Sequence, residues 1–150
     1  MEPEVRPVVQ QYLAAVREHT TSQNLATKIR ELLSENAVYT FLNNTGIQEH
    51  SHNVFVYWDD GDQGIVLEVG VQVFSLFTGN DRVICSSTPS GLAATLLHRG
   101  PYEQLGTTHR AIIDWCQANH HPITGLRWEI YGRWNDDPSK LETQVFYLLQ

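Results

Sequence analysis

The stretch IVLEVGVQVF at residues 65–74 decides the fold class of this chain. Apolar side chains stand at every second position, and such an alternation is typical of a half-buried β-strand. A turn sequence, DDGD at residues 59–62, comes just before it, and another, NDDP at residues 135–138, lies in the second half of the chain. The pattern therefore predicts β-hairpins in both halves.

Short sequence words recur in the same order in the two halves, which indicates a duplicated unit. The word Leu13-Ala14-Ala15 returns at residues 92–94, and the helical stripe that begins at Leu25 returns from Leu105 with the same spacing. Each unit reads strand, helix, strand, strand. We therefore predict an α+β fold of two pseudo-twofold-related halves within one domain that spans residues 1–150. Further words recur at an offset of 74 residues and pair Val56-Tyr57 with Ile130-Tyr131, Glu68 with Glu142, and Val71 with Val145.

Both predicted halves, about residues 1–78 and 88–150, begin with a strand. Residues 8–18 are the first predicted strand, and residues 92–99 are its counterpart. The segment at residues 79–89 carries Gly, Asn, Asp, Ser and Pro and is expected to join the halves as a loop.

Start and stop signals place the helices. One helix is predicted to open near Ser22, and another just after Pro101, a residue suited to a first helical turn. Asn36 interrupts the first helical stripe, so a second short helix up to Gly46 is expected in the first half only.

Composition narrows the class of protein and of partner. The 150 residues include 41% hydrophobic and 18% charged side chains, which excludes a disordered chain and a coiled coil. The formal net charge of −7 disfavours binding to nucleic acid or to an anionic membrane, and suits a cation or a neutral amphipathic molecule. The sequence has no secretory signal and no membrane-length apolar run. Cys85 and Cys116 fit no metal or disulfide spacing, so a cytoplasmic protein with reduced thiols is expected.

Motifs for catalysis, cofactors and metals are absent from the sequence. The chain has no GxGxxG, GxxxxGKS/T, HExxH or GxSxG motif, and no cofactor is predicted. His50-x-His52 and His120-His121 each offer two metal ligands, fewer than the three of a catalytic zinc site, so no metal site is predicted.

His109 takes the place in the second helical stripe that Ile29 holds in the first. This position predicts a buried, hydrogen-bonded structural histidine, with a pocket-lining role as the alternative. His19 and His98 each follow a predicted strand and are expected at the surface.

The predicted strand at residues 126–134 carries a carboxylate among aromatic side chains. Trp128 and Trp134 stand on its apolar side and are predicted to lie in the core. Glu129 and Tyr131 stand on the other side, and the usual burial of only one face would leave Glu129 in solvent.

The repeat offers an alternative, because it matches Glu129 with Phe55 and Tyr131 with Tyr57. If the halves face each other, these four side chains converge on one groove. Such an aromatic box with one carboxylate suits a lipophilic cation. Glu142, on the hairpin partner strand, would add a second carboxylate.

Five segments form a specific series along the chain: EVGVQV at 68–73, PSG at 89–91, HRGPYEQL at 98–105, WEIY at 128–131 and ETQVFY at 142–147. Together they resemble the GyrI-like small-molecule-binding domain, which is also described as the effector-binding domain of bacterial transcription activators. The resemblance covers nearly the whole chain. It implies two strand-helix-strand-strand halves whose antiparallel sheet forms a central ligand groove.

The resemblance also implies the site residues. In regulators of this family the groove takes up varied, often cationic, aromatic compounds. The acidic pocket residue of the family's ExY motif falls on Glu129, and the second acidic position falls on Glu142. The activator members carry an N-terminal helix-turn-helix domain, whereas here the first strand begins within about a dozen residues of Met1, so a stand-alone module is expected. The aromatic lining positions fall on Tyr57, Tyr102 and Tyr131, and less directly on Phe55.

The residues, together with what the resemblance implies, leave three functional hypotheses. The first is a protein that binds amphipathic, cationic aromatic effectors or drugs, with a buried Glu129 as the counter-charge. The second is a hydrolase that opens cyclopropane-bearing DNA-alkylating compounds, as some stand-alone members do, with Glu129 as general base and Tyr131 orienting water. The third is a protein-interaction module like an inhibitor of DNA gyrase. The expected partner is a small molecule rather than nucleic acid or a membrane, and a homodimer or a protein partner is left open.

Overall fold

The computed structural model describes residues 2–61 and 63–150, so Asp62, the last residue of the predicted turn at 59–62, lies outside the described residues. No helix among the described residues is long and apolar enough to cross a membrane. Two 3₁₀ turns occur, at Tyr102–Gln104 and Pro138–Lys140. The strands and α-helices are, in chain order, β1 (Glu4–Val8), β2 (Tyr12–Thr21), α1 (Leu25–Glu35), α2 (Ala37–Thr45), β3 (Glu49–Asp59), β4 (Gly64–Val73), β5 (Ile84–Ser87), β6 (Gly91–Arg99), α3 (Leu105–Ala118), β7 (Ile123–Tyr131) and β8 (Glu142–Leu149).

The chain divides into two compact units. Gln10–Thr88 forms the central unit, and the residues up to Val9 together with Pro89–Gln150 form the terminal unit. Antiparallel strands follow in the order β3-β4-β2-β5 in the central unit and β1-β6-β8-β7 in the terminal unit. The predicted α+β class with antiparallel sheet is confirmed.

The first predicted strand, at residues 8–18, is wrong in its bounds. β1 ends at Val8 and β2 begins at Tyr12, and the two strands belong to different units. β1 pairs with β6, whereas β2 pairs with β4 and β5. Both segments are extended, so their residues show the same strand-forming pattern. The pattern therefore does not show that β1 and β2 pair with different strands. The expected loop at residues 79–89 is also wrong in part, since it contains β5.

The helices of the central unit begin and end close to the predicted positions. Asn36, which interrupts the helical stripe, has a left-handed backbone with φ of 56° and separates α1 from α2. Gly46 ends α2 with φ of 74°, a conformation that glycine adopts without steric cost. The second short helix of the first half is therefore confirmed.

The alternating stretch of the sequence forms β4, which lies between β3 and β2. The prediction that it is half-buried is wrong, because Glu68 on its polar side is only 1% exposed. Arg17 Nε and Ser86 Oγ donate hydrogen bonds of 2.8 and 2.6 Å to the Glu68 carboxylate. The guanidinium carbon of Arg17 also lies 5.5 Å from the centre of the Trp58 ring. Side chains of neighbouring strands thus cover the polar side of this central strand.

The core of the terminal unit forms where α3 packs on one face of β6, β8 and β7. Trp128 is buried on the opposite face, where it stacks on Phe146 with ring centres 4.9 Å apart, as its predicted core position requires. The core prediction for Trp134 is wrong, because β7 ends at Tyr131 and Trp134 is 70% exposed. The buried core residues are Ala94, Leu105, Ile112, Cys116, Val145 and Tyr147.

Gly70 in β4 is the position where the sheet tolerates no side chain. A Cβ atom there would lie 2.2 Å from the carbonyl oxygen of Ala14 and 2.8 Å from Cα of Ala15. We expect Gly70→Ala to lower the free energy of unfolding by about 3 kcal/mol, since backbone atoms must move apart. Chemical denaturation measures the change.

Gly106 in α3 is the matched control, because a Cβ atom there would contact nothing within 4 Å. Gly106→Ala should raise the free energy of unfolding by up to about 1 kcal/mol, the helix-propensity gain of alanine. Equal effects of the two substitutions would contradict the packing argument.

Candidate functional site

The carboxylate of Glu129 is the centre of the candidate site. It projects from β7 towards α3 and is only 4% exposed, so the expectation that it faces solvent is wrong. Tyr131 Oη donates a 2.7 Å hydrogen bond to Oε1, and His109 Nε2 lies 2.6 Å from Oε2. A buried carboxylate is stable only when it is paired and hydrogen-bonded in this manner.

His109 links Glu129 to a tyrosine on the neighbouring strand. Its Nδ1 lies 2.7 Å from the hydroxyl of Tyr147, and the two rings meet edge to face with centres 5.5 Å apart. The arrangement that satisfies every atom has Nε2–H donating to Glu129 and the Tyr147 hydroxyl donating to Nδ1. The predicted hydrogen bonding of His109 is confirmed, whereas its predicted burial is wrong, because its side chain is 19% exposed.

Sheet register and helix period bring these groups together. Glu129 and Tyr131 are two residues apart on β7, so they share a face. Glu129 lies opposite Val145 and Arg127 lies opposite Tyr147, which puts Tyr147 on the same face. The stripe of α3 that carries His109 packs over this face, together with Ile112 and Cys116.

Aromatic rings adjoin the carboxylate on one side. The Tyr102 ring lies edge-on to Tyr131 with centres 5.3 Å apart, and 6.4 Å from the ring of Trp134. Burial raises the pKa of the Tyr102 phenol. Tyr102, predicted from the resemblance, and Tyr131 therefore do lie together near Glu129. Trp134, predicted to be core, is an exposed aromatic neighbour instead.

His98 holds the turn that carries Tyr102. Its Nδ1 lies 2.7 Å from Thr108 Oγ1 and its Nε2 lies 2.9 Å from the carbonyl oxygen of Pro101. His98 is 6% exposed, so the prediction of a surface position is wrong. The reason is that α3 starts directly above the end of β6 and covers this side chain.

Comparison with known proteins assigns the chain. The family model of the GyrI-like small molecule binding domain matches residues 1–149. The chain belongs to this family. No curated protein matches it significantly.

Solved structures similar to this chain include EcmrR, as a C-terminal domain and in a complex with DNA. The C-terminal domain of EcmrR has a TM-score of 0.76 and 17% identity, over 99% of this chain and 97% of that one. In the EcmrR–DNA complex, this chain spans 57% of the length of the EcmrR chain, with a TM-score of 0.77 and 15% identity.

Two further solved structures are similar to this chain. SAV2435, bound to tetraphenylphosphonium, has a TM-score of 0.76 and 10% identity, over 100% of this chain and 94% of that one. A hydrolase from Listeria innocua has a TM-score of 0.59 and 12% identity, over 99% of this chain and 92% of that one. At these identities, the likeness establishes the fold alone.

Glu142 does not join Glu129 in this GyrI-like domain. It lies opposite Arg99 on β6, and Arg99 Nη2 is 2.5 Å from its carboxylate. Because Glu129 lies opposite Val145, three residues further along β8, Glu142 projects from the other face of the sheet. The hypothesis of two carboxylates side by side is wrong for this pair.

Phe55 and Tyr57 lie on β3 of the central unit, where both are buried. They stand opposite Val69 and Leu67 of β4 and share a face with them. Their convergence with Glu129 and Tyr131 on one groove stays a prediction.

A small cavity of the central unit was not predicted. It has a volume of about 50 Å³ and lies where the junction of α1 and α2 covers β4. Leu32, Val38 and Val69 line it, and so do Tyr39 and Asn53, whose hydroxyl and Oδ1 form a 2.6 Å hydrogen bond. The signal in the sequence is the alternation of Asn53 with Phe55, which places both on the helix-facing side of β3.

The histidine pairs that offered two metal ligands make ring contacts. His50 stacks on His52 with centres 5.9 Å apart, and it lies 4.9 Å from the Phe74 ring. His121 stacks on Trp115 at 5.3 Å. Within residues 2–61 and 63–150, there is no group of three or more His, Cys, Asp or Glu side chains that could hold a metal ion.

Removal of the Glu129 carboxylate and removal of the Glu142 carboxylate should affect the stability of the protein to different extents. Glu129→Ala removes a buried carboxylate and leaves the partly buried His109 and Tyr131 without this hydrogen-bond partner, so it should lower the free energy of unfolding by about 3 kcal/mol. Glu142→Ala removes one side of an exposed ion pair and should cost less than about 1 kcal/mol. Thermal and chemical denaturation of both variants compare the two, and equal losses would refute the difference in burial.

Proposed function

We propose that this GyrI-like domain binds lipophilic, cationic aromatic molecules beside Glu129. The observation that carries the proposal is a buried carboxylate next to tyrosine rings, Tyr131 and Tyr102, in a family of small-molecule-binding domains. Glu129 supplies the counter-charge, and the ring faces supply contact area.

Charge and desolvation support a cation as the ligand. A buried carboxylate attracts a cation more strongly than a solvated one, since little water screens it. Aromatic faces add an attraction for the same charge, because their π systems are negative at the centre. The net charge of −7 also favours the approach of a cation over that of an anion.

Tetraphenylphosphonium is a suitable probe. It carries one delocalised positive charge inside a shell of four aromatic rings, and it is the ligand bound to the structural relative SAV2435. Its rings match the tyrosines in chemistry, and its charge matches Glu129.

The hydrolase hypothesis requires Glu129 to take a proton from water. Both of its oxygens already hold protein partners, Tyr131 and His109, and both ring nitrogens of His109 are engaged as well. This supports a role as counter-charge rather than as general base. Hydrolysis therefore stands as the alternative, and the hypothesis of a gyrase-directed interaction module stays a prediction.

Calorimetric titration with tetraphenylphosphonium tests the proposal. We expect Glu129→Gln to weaken binding by about tenfold or more, because the neutral amide keeps the shape of the site and removes its charge. Glu142→Gln, on the other face of the sheet, should change the affinity by less than about twofold. Circular dichroism verifies that each variant is folded.

Two outcomes would contradict the proposal. Equal affinities of wild type and Glu129→Gln would remove the counter-charge role. Product formation from a cyclopropane-bearing substrate, abolished by Glu129→Gln and detected by mass spectrometry, would favour the hydrolase instead.

A further inference from the structure

His109 is within hydrogen-bond distance of Glu129, so a positive charge on its ring would act directly on the carboxylate. Its Nε2 is 2.6 Å from Oε2, and its side chain is 19% exposed whereas that of Glu129 is 5% exposed. A protonated imidazole here would neutralise the same charge that the proposed ligand uses. Ligand and proton therefore compete for one carboxylate.

We infer that His109 sets the charge of the ligand that the site accepts, by holding or releasing one proton beside Glu129. This inference rests on the proposed function and adds a specificity-determining residue to it. With a neutral His109, the pair carries one negative charge and favours cations. With a protonated His109, the pair is neutral and favours uncharged aromatic molecules.

The hydrogen bonds of His109 allow its imidazole to gain or lose a proton without rearrangement of the site. Nε2–H can donate to Glu129 in both states of the imidazole. At Nδ1 the partner is the hydroxyl of Tyr147, which donates to a bare nitrogen and accepts from a protonated one. Since a hydroxyl can donate or accept as it rotates, a hydrogen bond at Nδ1 and one at Nε2 are possible in both states of the imidazole.

Histidine is the side chain that ordinarily changes charge between about pH 5 and pH 8. Among the described residues, His98 on β6 and His121 also contact α3. His98 is bonded to Thr108 and Pro101, and His121 stacks on Trp115. Burial raises the pKa of the Cys116 thiol, which keeps it neutral in this range. The other titratable or charged groups on α3 or facing it are Glu129, Tyr131 and Arg127 of β7, Tyr147 of β8, Tyr102 and Glu103 of the 3₁₀ turn, and the exposed Arg110–Asp114 ion pair of α3 itself.

Proton binding to His109 and ligand binding beside Glu129 are linked, and this linkage determines whether the affinity rises or falls with pH. A cation that binds to the negatively charged state of the pair displaces the proton of His109, so its affinity falls as the pH is lowered. The displaced proton passes to the buffer, and up to one proton is released for each cation bound. A neutral ligand that binds the protonated pair better takes up a proton instead, so its affinity rises as the pH is lowered.

The test compares wild type with His109→Gln, whose amide can still donate to Glu129 but cannot become charged. Titrations with tetraphenylphosphonium at about pH 5.5 and about pH 8 bracket the range in which histidine titrates. Two buffers of different ionisation enthalpy report the number of protons released. Triphenylphosphine oxide serves as the uncharged probe of similar shape.

We expect wild type to bind tetraphenylphosphonium about tenfold more weakly at the lower pH, with proton release. In His109→Gln the ratio of the two affinities should stay within about twofold, and proton release should vanish. His121→Gln, which changes a histidine that stacks on Trp115, is the matched control and should keep the wild-type ratio. Triphenylphosphine oxide should show no preference for the higher pH.

The possible failures are distinguishable. If tetraphenylphosphonium binds and His109→Gln keeps the full pH dependence of wild type, another group titrates, and the inference is wrong while the proposed function stands. If the probe does not bind at either pH, the proposed function and the inference fall together.

Discussion

A carboxylate buried under a helix must be surrounded by hydrogen-bond donors, and Glu129 imposes this requirement on the terminal unit. Its two donors come from different elements, Tyr131 on the same strand and His109 on α3. Tyr147 in turn holds His109 from the next strand. The hydrogen bonds of Glu129, His109 and Tyr147 thus join α3 to β7 and β8. These same contacts form the site and fix how α3 is rotated over the sheet.

Successive side chains of a β-strand point to opposite faces of the sheet. This alternation explains which of the repeated sequence words mark equivalent positions in the two units. Words that recur at an even offset, 74 residues between Tyr57 and Tyr131, keep their face of the sheet, and both residues lie on the helix-facing side. The odd offset of 79 residues between Leu13 and Leu92 exchanges the faces, and Leu13 is fully buried whereas Leu92 is 54% exposed. The words at an offset of 79 therefore do not mark equivalent positions in β2 and β6, since Ala14 pairs with Val71 whereas Leu96 pairs with Val145.

The sequence allowed us to predict which strand carries the candidate site, but not which side chains contact one another there. Alternation and family resemblance select Glu129 and Tyr131, because neighbours on one strand are set by a period of two. The partnership of Glu129 with His109 joins residues that are 20 positions apart, so it depends on how α3 packs. The burial of His98 likewise depends on how α3 packs on the sheet, so it could not be predicted from its own strand. Glu142 was misplaced because the register of β8 against β7 cannot be read from the residues of either strand alone.

The pairing of β1 with β6 has a consequence for the order of folding during synthesis. The central unit, Gln10–Thr88, is continuous in sequence and leaves the ribosome whole, whereas β1 leaves it first and finds its partner only when Gly91–Arg99 has followed. Contacts between segments this far apart form late, since the chain must close a long loop to make them. Throughout that interval β1 is an extended segment that lacks its partner strand, so it is the part of this domain most exposed to mispairing.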